Sequence, residues 1–307
     1  MRLAVALVVM AGSAAAFAPA HQAGGARQMA LASTLEYEAI IGSGSSISAD
    51  DFNAKLVANR ETMSAKDKAS QSLGKDDLKV VHEDEHIVVI DKPAGVLSTP
   101  GKDGNPSLQQ AVFDAFGCES GNANKMACHR LGMDTSGLMV FAKTNHALRD
   151  LNSQFRTRKV TRKYEALVKG HVSDDSGVID MPLMMDYENP PYMCVSTEEK
   201  QRALIGLSAE DVGKKVLENP KESITEYEVL AREEVDGEPV SRLGLTSVTG
   251  RTHQLNVHCS AIGHPIVGDS VYGDAGSGKA MCVHAKSLSF RHPGTREQVN
   301  LESAAPF

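Results

Sequence analysis

The sequence contains no Cys-x-x-Cys pair, no internal repeat and no excess of positive charge, and each absence closes a class of function. Its five cysteines, Cys118, Cys128, Cys194, Cys259 and Cys282, are odd in number and widely scattered. That excludes a disulfide framework and a zinc ribbon and fits a reducing compartment. Lys and Arg number 32 against 39 Asp and Glu, so no global field draws the chain to nucleic acid; any such binding must come from a local patch. With 41% hydrophobic and 23% charged residues and no repeat, the composition is that of a soluble globular protein, not a collagen-like, solenoidal or disordered one. Its 307 residues allow one large domain or two smaller ones.

Residues 1–35 are foreign to the rest, carrying Arg2 and Arg27 and no acid. Arg2, the apolar run from Leu3 to Met10 and the small residues Gly12-Ser13-Ala14-Ala15-Ala16 form the three regions of a secretory signal, too short for a membrane span. Phe17-Ala18-Pro19-Ala20 and the acid-free stretch after it resemble the second half of the bipartite plastid-targeting peptides of algae with complex plastids, where an aromatic residue stands just after the cleavage site. The expected destination is the plastid, with no membrane contact in the mature protein. The alternative is an ordinary secretory signal, which would send five unpaired cysteines into an oxidising space.

Residues 36–77 read as a polar, loosely attached extension with a helix from Asp50 to about Asn59, where Phe52, Leu56 and Val57 share a face. The body, 78–307, opens with two short strands, 80–81 and 87–90, around a polar turn. Asn105-Pro106 reads as the start of a helix that buries Leu108, Val112 and Phe116 and stops at Gly117. Next come a strand over 138–142, a helix capped by Asn145 and a strand over 163–169. Residues 197–222 are charged and Pro-interrupted, an insertion with some helix. Strands over 224–231 and 242–248, a helix over 251–262 and a strand over 281–290 complete the chain. Strands interleaved irregularly with few helices predict an α+β fold on a mixed sheet, not a doubly wound array.

Three features carry chemistry. His129-Arg130-Leu131-Gly132-Met133-Asp134-Thr135-Ser136-Gly137 is a polar loop running straight into a buried strand, the place where rigid scaffolds present functional groups. Composition alone favours a turn in which Asp134 and Thr135 bond local backbone and Arg130 pairs a surface acid. Thr249 to His258 stands at a strand-to-helix junction. Its His253 and His258, with His264, sit at spacings that do not stack on one helix face, so packing or nucleic-acid contact is favoured over metal ligation. Between Lys143 and Lys169 lie eight basic residues, Arg156, Arg158, Lys159, Arg162 and Lys163 among them, against two acids. In an acidic chain this is the best available phosphate-binding surface. Tyr164 stands within it, an aromatic that serves either packing or base stacking.

From about residue 79 to the end the chain resembles the RluA family of RNA pseudouridine synthases. The resemblance is carried in order by VVHEDEHIVVIDKPAGVLSTPG, HRLGMDTSGLMVFAKT, RKYEALVKG, TEYEVL, SVTGRTHQLNVHCSAIGHPIVGDSVYG and VHAKSLSFRHP. It implies an α+β pseudouridine synthase fold: a bent, mixed, mostly antiparallel sheet with helices flanking a basic cleft. It also implies a reaction without cofactor or metal on structured RNA, rRNA or tRNA, by a monomer, in which a flipped uridine is detached and rejoined through carbon. Carried over by position, Tyr164 matches the tyrosine that stacks on the base, and Arg130 the arginine that helps displace it. His129, Thr135, Arg156, Arg158, Lys159, Arg162, Lys163, Arg251 and His253 are the expected RNA contacts. The catalytic aspartate position is Gly132, and the arginine that pairs with it is Asn256. Both partners of one ion pair are missing together, as relaxed demand for the chemistry would leave them, since a lone buried charge is costly. Asp134 lies two residues on, about 6–7 Å along an extended chain, whereas catalytic geometry tolerates about 1 Å. It is a weak substitute. Two functions are therefore expected: isomerisation of uridine in structured RNA, or an inactive RNA-binding or ribosome-assembly factor that retains the fold.

Overall fold

A computed structural model describes residues 48–101, 103–275 and 278–307. The leader, Phe17 included, and residues 36–47 lie outside them. Among the described residues nine strands form one sheet in the order β1 (Val80–Glu83), β2 (Ile87–Lys92), β3 (Ser136–Ala142), β10 (Val283–Arg291), β4 (Thr161–Lys169), β9 (Glu238–Ser247), β8 (Ile224–Val235), β5 (Ser176–Asp180); β11 (Gln298–Glu302) also pairs with β10. Only β3 and β10 run parallel, with Ser136 opposite His284 and Gly137 opposite Ala285. Every other pairing is antiparallel, so the sheet is mixed and mostly antiparallel as expected.

Sequence texture explains the layering. β2 and β3 are buried at every position, the continuous apolar runs of strands covered on both faces. One side of them packs on α2 (Leu108–Phe116) through Leu108, Val112 and Met139. The other packs on α3 (Asn145–Arg156) through Ala147, Leu151 and Leu138. β8 alternates half-buried and exposed along most of its length, the pattern of a strand with one wet face. A third core joins β4 and β9 to α6 (Gln254–Ala261) around Ala166, Leu243, Leu245 and Cys259.

Several boundaries differ from expectation for local reasons. α2 begins after Ser107, whose hydroxyl accepts the Gln110 N–H at 3.3 Å, and α3 after Thr144, which caps Ala147 at 3.1 Å. In each case a hydroxyl within two positions of the expected cap does the work. β8 and β9 run on to a tight turn at Asp236-Gly237, both at positive φ, where the expected strands stopped short. The insertion holds two short helices, α4 (Glu198–Arg202) and α5 (Ala209–Val212), and is preceded by a small hairpin of β6 (Leu183–Met185) and β7 (Met193–Val195).

The helix expected over 50–59 is α1 (Ala49–Asp67), and it is docked rather than loosely attached. Phe52 is 2% exposed against Tyr187, Val212 and Val216. Asn53 donates to the Asp211 carbonyl and Asn59 to that of Pro190, each at 2.8 Å. Among the described residues no helix is long and apolar enough to cross a membrane.

Candidate nucleic-acid interface

A cleft of about 970 Å³ opens between the loop 129–135, strand β4 and the turn into α6. The loop is fixed from behind. Ser98 Oγ donates to the Leu131 carbonyl at 2.7 Å and accepts the Leu131 N–H at 3.0 Å. The Met133 carbonyl accepts from Lys92 Nζ at 2.8 Å and from the Gly95 N–H at 3.0 Å. Lys92 is 1% exposed, and burial pulls its ammonium down to about 7, partly opposed by the charge of Asp134. Where the loop enters β3, Gly137 has φ 111° and a Cβ there would run into the backbone of Ala285; only glycine lets β3 and β10 pair so closely.

Gly132, Asp134, Tyr164 and Asn256 all line this cleft. Gly132 does not need to be glycine. Its backbone lies outside the left-handed region, and a Cβ would meet only Thr135 Oγ1, at 3.3 Å. Asn256 Nδ2 donates to Asp269 Oδ2 at 2.8 Å, and Asp269, 3% exposed, also accepts the N–H groups of Val271 and Tyr272 through Oδ1. Asp134 is held by Lys66 of α1, Nζ to Oδ2 at 2.5 Å. Tyr164 is 8% exposed, and burial pushes its phenol above the ordinary value.

The cationic wall comes from four places. Arg156 and Arg158 lie at and just past the end of α3, Arg162 precedes Tyr164 by two positions on β4, and Arg130 and Arg251 stand on the two loops. Glu222, the last residue of the insertion, accepts Arg158 Nη2 at 3.0 Å with its carboxylate and Arg251 Nε at 3.1 Å with its carbonyl. Arg162 lies over Gly250, where any Cβ would meet its Nη2 at 2.7 Å, and its Nε is buried with no hydrogen-bond partner. Thr135 lines the cleft but is buried. His253, at φ 53°, places Nδ1 2.9 Å from the Tyr272 hydroxyl, and burial lowers its pKa.

Three expected contacts fare differently. Lys159 and Lys163 do not line the cleft. Lys163 alternates with Arg162 and Tyr164 along β4 and so projects from the opposite face of the sheet. His129 serves the scaffold: its Nε2 accepts the Val140 N–H at 3.1 Å, its ring stacks on Phe155 at 4.6 Å, and burial, with the charge of Arg162, pulls its pKa down to about 3. His258 bridges Thr225 and the Met181 carbonyl, while His264 bonds the Lys169 carbonyl, so the sequence's three histidines share no ligand set. Among the described residues a different trio, His82, Asp84 and His292, has compatible ligand geometry. His292 Nδ1 accepts two backbone N–H groups, from Gly294 and Thr295, which leaves its proton on Nε2, donated to Asp84 at 2.8 Å. That nitrogen has no lone pair for an ion, and the trio is a hydrogen-bonded lock between the β1–β2 turn and the β10–β11 turn.

Residues that sequence reasoning missed are Lys66 and Met63 of α1, and Tyr192 after β6, which tilts toward His253 at 6.3 Å. Nothing in the linear pattern flags Lys66, which meets Asp134 across 68 positions.

Residues 86–261 match the family model described as RNA pseudouridylate synthase. The chain is 39% identical over 237 residues to the dual-specificity RNA pseudouridine synthase RluA of Pasteurella multocida, covering 75% of this chain and 94% of that one. It is 36% identical over 236 residues to the protein of the same name from Haemophilus influenzae, with the same coverage. Among solved structures, human RNA Pseudouridylate Synthase Domain Containing 1 superposes with a TM-score of 0.61 at 29% identity, over 77% of this chain and 87% of that one. The mixed sheet, the cleft beside β4 and these likenesses agree: the chain belongs to the RluA family of RNA pseudouridine synthases.

Proposed function

We propose that this protein binds structured RNA, rRNA or tRNA, in the cleft between loop 129–135 and α6 and holds it without isomerising uridine. The observation that carries this reading is the loop itself. It keeps its backbone supports and offers no side chain at Gly132, while the nearest loop carboxylate, Asp134, is engaged by Lys66. The chemistry that the family resemblance implies needs a carboxylate against the sugar, kept ionised by a cation. Gly132 supplies neither atom nor charge, and Asn256 is neutral and committed to Asp269. Removing a nucleophile costs many powers of ten in rate, and binding contacts recover only part of it.

Binding needs none of the missing groups. Arg130, Arg156, Arg158, Arg162 and Arg251 give the cleft a cationic lining within an acidic chain, and Tyr164 retains its place at the cleft wall. Pseudouridine mapping of organellar rRNA and tRNA, with and without the protein, tests the reading. The expected result is co-purifying structured RNA and an unchanged pseudouridine pattern; loss of a specific pseudouridine on depletion would overturn it. The leader supports a plastid location, and a fluorescent fusion of residues 1–40 is expected to enter the plastid and to be diverted by Phe17→Ala. Secretion of the unaltered fusion would sink that assignment.

A further inference from the structure

α1 is tethered at both ends. Its first turn rests on the insertion through Phe52 and Asn53, and Asn59 in its middle bonds the Pro190 carbonyl between β6 and β7. Just past its end, Ser70 Oγ donates to the Pro106 carbonyl at 2.7 Å and accepts the Leu97 N–H at 3.0 Å. The helix is therefore held along the cleft, and its last turn places Met63, Lys66 and Asp67 on the cleft wall. There Lys66 Nζ lies 2.5 Å from Asp134 Oδ2, with the two side chains 46% and 33% exposed.

A pair so open to water adds little to stability. Its larger effect is on the field at the cleft mouth. Asp134 belongs to the same loop as Arg130, and Asp67 stands close enough both to Lys66 and to Asp103 to interact. Without Lys66 that rim would present carboxylates to an incoming phosphate chain. We propose that Lys66 is a positioning residue of the RNA site, acting by neutralising Asp134 so that the rim of loop 129–135 accepts the RNA backbone. The inference rests on the RNA-binding reading of this cleft.

The test uses the full-length chain, a synthetic RNA hairpin and bulk tRNA, with affinity measured across a salt series and folding checked by thermal melting. Lys66→Met is expected to weaken binding about five- to tenfold, the effect of one unscreened unit charge at close range, with a shallower salt dependence. Lys66→Arg retains wild-type affinity, and Asp134→Asn binds as well as wild type or better. Lys66→Met with Asp134→Asn recovers to within about twofold, since the charge that needed neutralising is gone. Wild-type affinity in Lys66→Met, while Arg158→Glu is weakened, would overturn the role of Lys66 and leave the RNA-binding reading intact. A double variant as weak as Lys66→Met overturns the neutralising role as well. Failure of the wild-type protein to bind either RNA would instead remove the RNA-binding reading itself.

Discussion

Loop 129–135 has a back and a front, and they are held by different means. Behind it, backbone carbonyls and amides are engaged by Ser98, Lys92 and Gly95, all from one stretch of chain. In front of it, at Gly132 and Asn256, the charged groups that the family resemblance implies are replaced by a hydrogen and an amide. The back does not depend on the front: no bond that fixes the loop involves a side chain at position 132, and the backbone there is unstrained. The shape of this cleft is thus held independently of any side chain at position 132.

The comparison breaks most severely where β3 leaves the loop. Gly137→Ala sets a methyl group against the Ala285 backbone at a φ of 111°. Unfolding by denaturant is expected to show a loss of about 3 kcal/mol or more, and RNA binding should fall with the folded fraction. An alanine variant of wild-type stability would mean that the parallel β3–β10 contact does not define the loop's exit.

The next effect separates the two faces of the basic run. Arg156→Glu with Arg158→Glu is expected to weaken hairpin RNA binding by about twentyfold or more, because two cleft charges are reversed. Lys159→Glu with Lys163→Glu, on residues that do not line the cleft, should change affinity by less than about threefold at physiological salt, where longer-range charges are screened. Equal losses from both pairs would show that RNA reads net charge and not the cleft.

This division also marks what the sequence could convey. The buried run over β3, the amphipathic α3 and the family motifs around Tyr164 were legible because each is a local pattern of hydrophobicity or residue type. Assigning Lys163 to the cleft came from counting charge along the chain and ignoring the alternation that sends it to the other face from Tyr164. The Asp236-Gly237 turn was in plain view, and the expected strands stopped short of it on either side. Lys66 was illegible for a different reason: its contact exists only because Phe52 docks α1 on an insertion some 160 residues away in sequence, and no local signal encodes that pairing. The short strands β5, β6, β7 and β11 went unread because three to five residues carry too little periodicity.

A smaller effect tests the back of the loop through pH. Lys92 falls from its ordinary 10.5 to about 7 in the folded protein, chiefly through burial. Between those values the unfolded chain binds more protons than the folded one, so the Lys92 contribution makes stability rise with pH above 7. Above about 9 the buried thiols of Cys128 and Cys259, both pushed up to about 12, act in the same sense of pH dependence as any group that keeps its proton on folding: the folded state then retains the extra protons, and stability falls. Denaturant midpoints are expected to climb from pH 7 to pH 9, and Lys92→Met should flatten that slope. An unchanged slope in the variant would show that Lys92 is not the titrating strut behind Met133.

The smallest expected effect is the most direct probe of the front. In Gly132→Asp the new Cβ meets only Thr135 Oγ1, which has to yield by a few tenths of an ångström, so stability is expected to change by less than about 1 kcal/mol. The carboxylate would enter the cleft beside the buried Tyr164 with Asn256, and not a guanidinium, at the position that the family resemblance pairs with it. Pseudouridine formation, read by carbodiimide mapping of bound RNA, should therefore stay undetectable in this variant as in the native protein. Adding Asn256→Arg supplies the cation, and a guanidinium has donors enough to serve Asp269, which Asn256 now bonds, as well as the new carboxylate. The double variant is expected to give the first detectable pseudouridine, and Asp134→Ala on top of it should leave that signal in place. Turnover by the unmodified protein that Asp134→Ala abolishes would place the working carboxylate two residues along the loop, with Lys66 as its cation, and the front would then be rebuilt rather than empty.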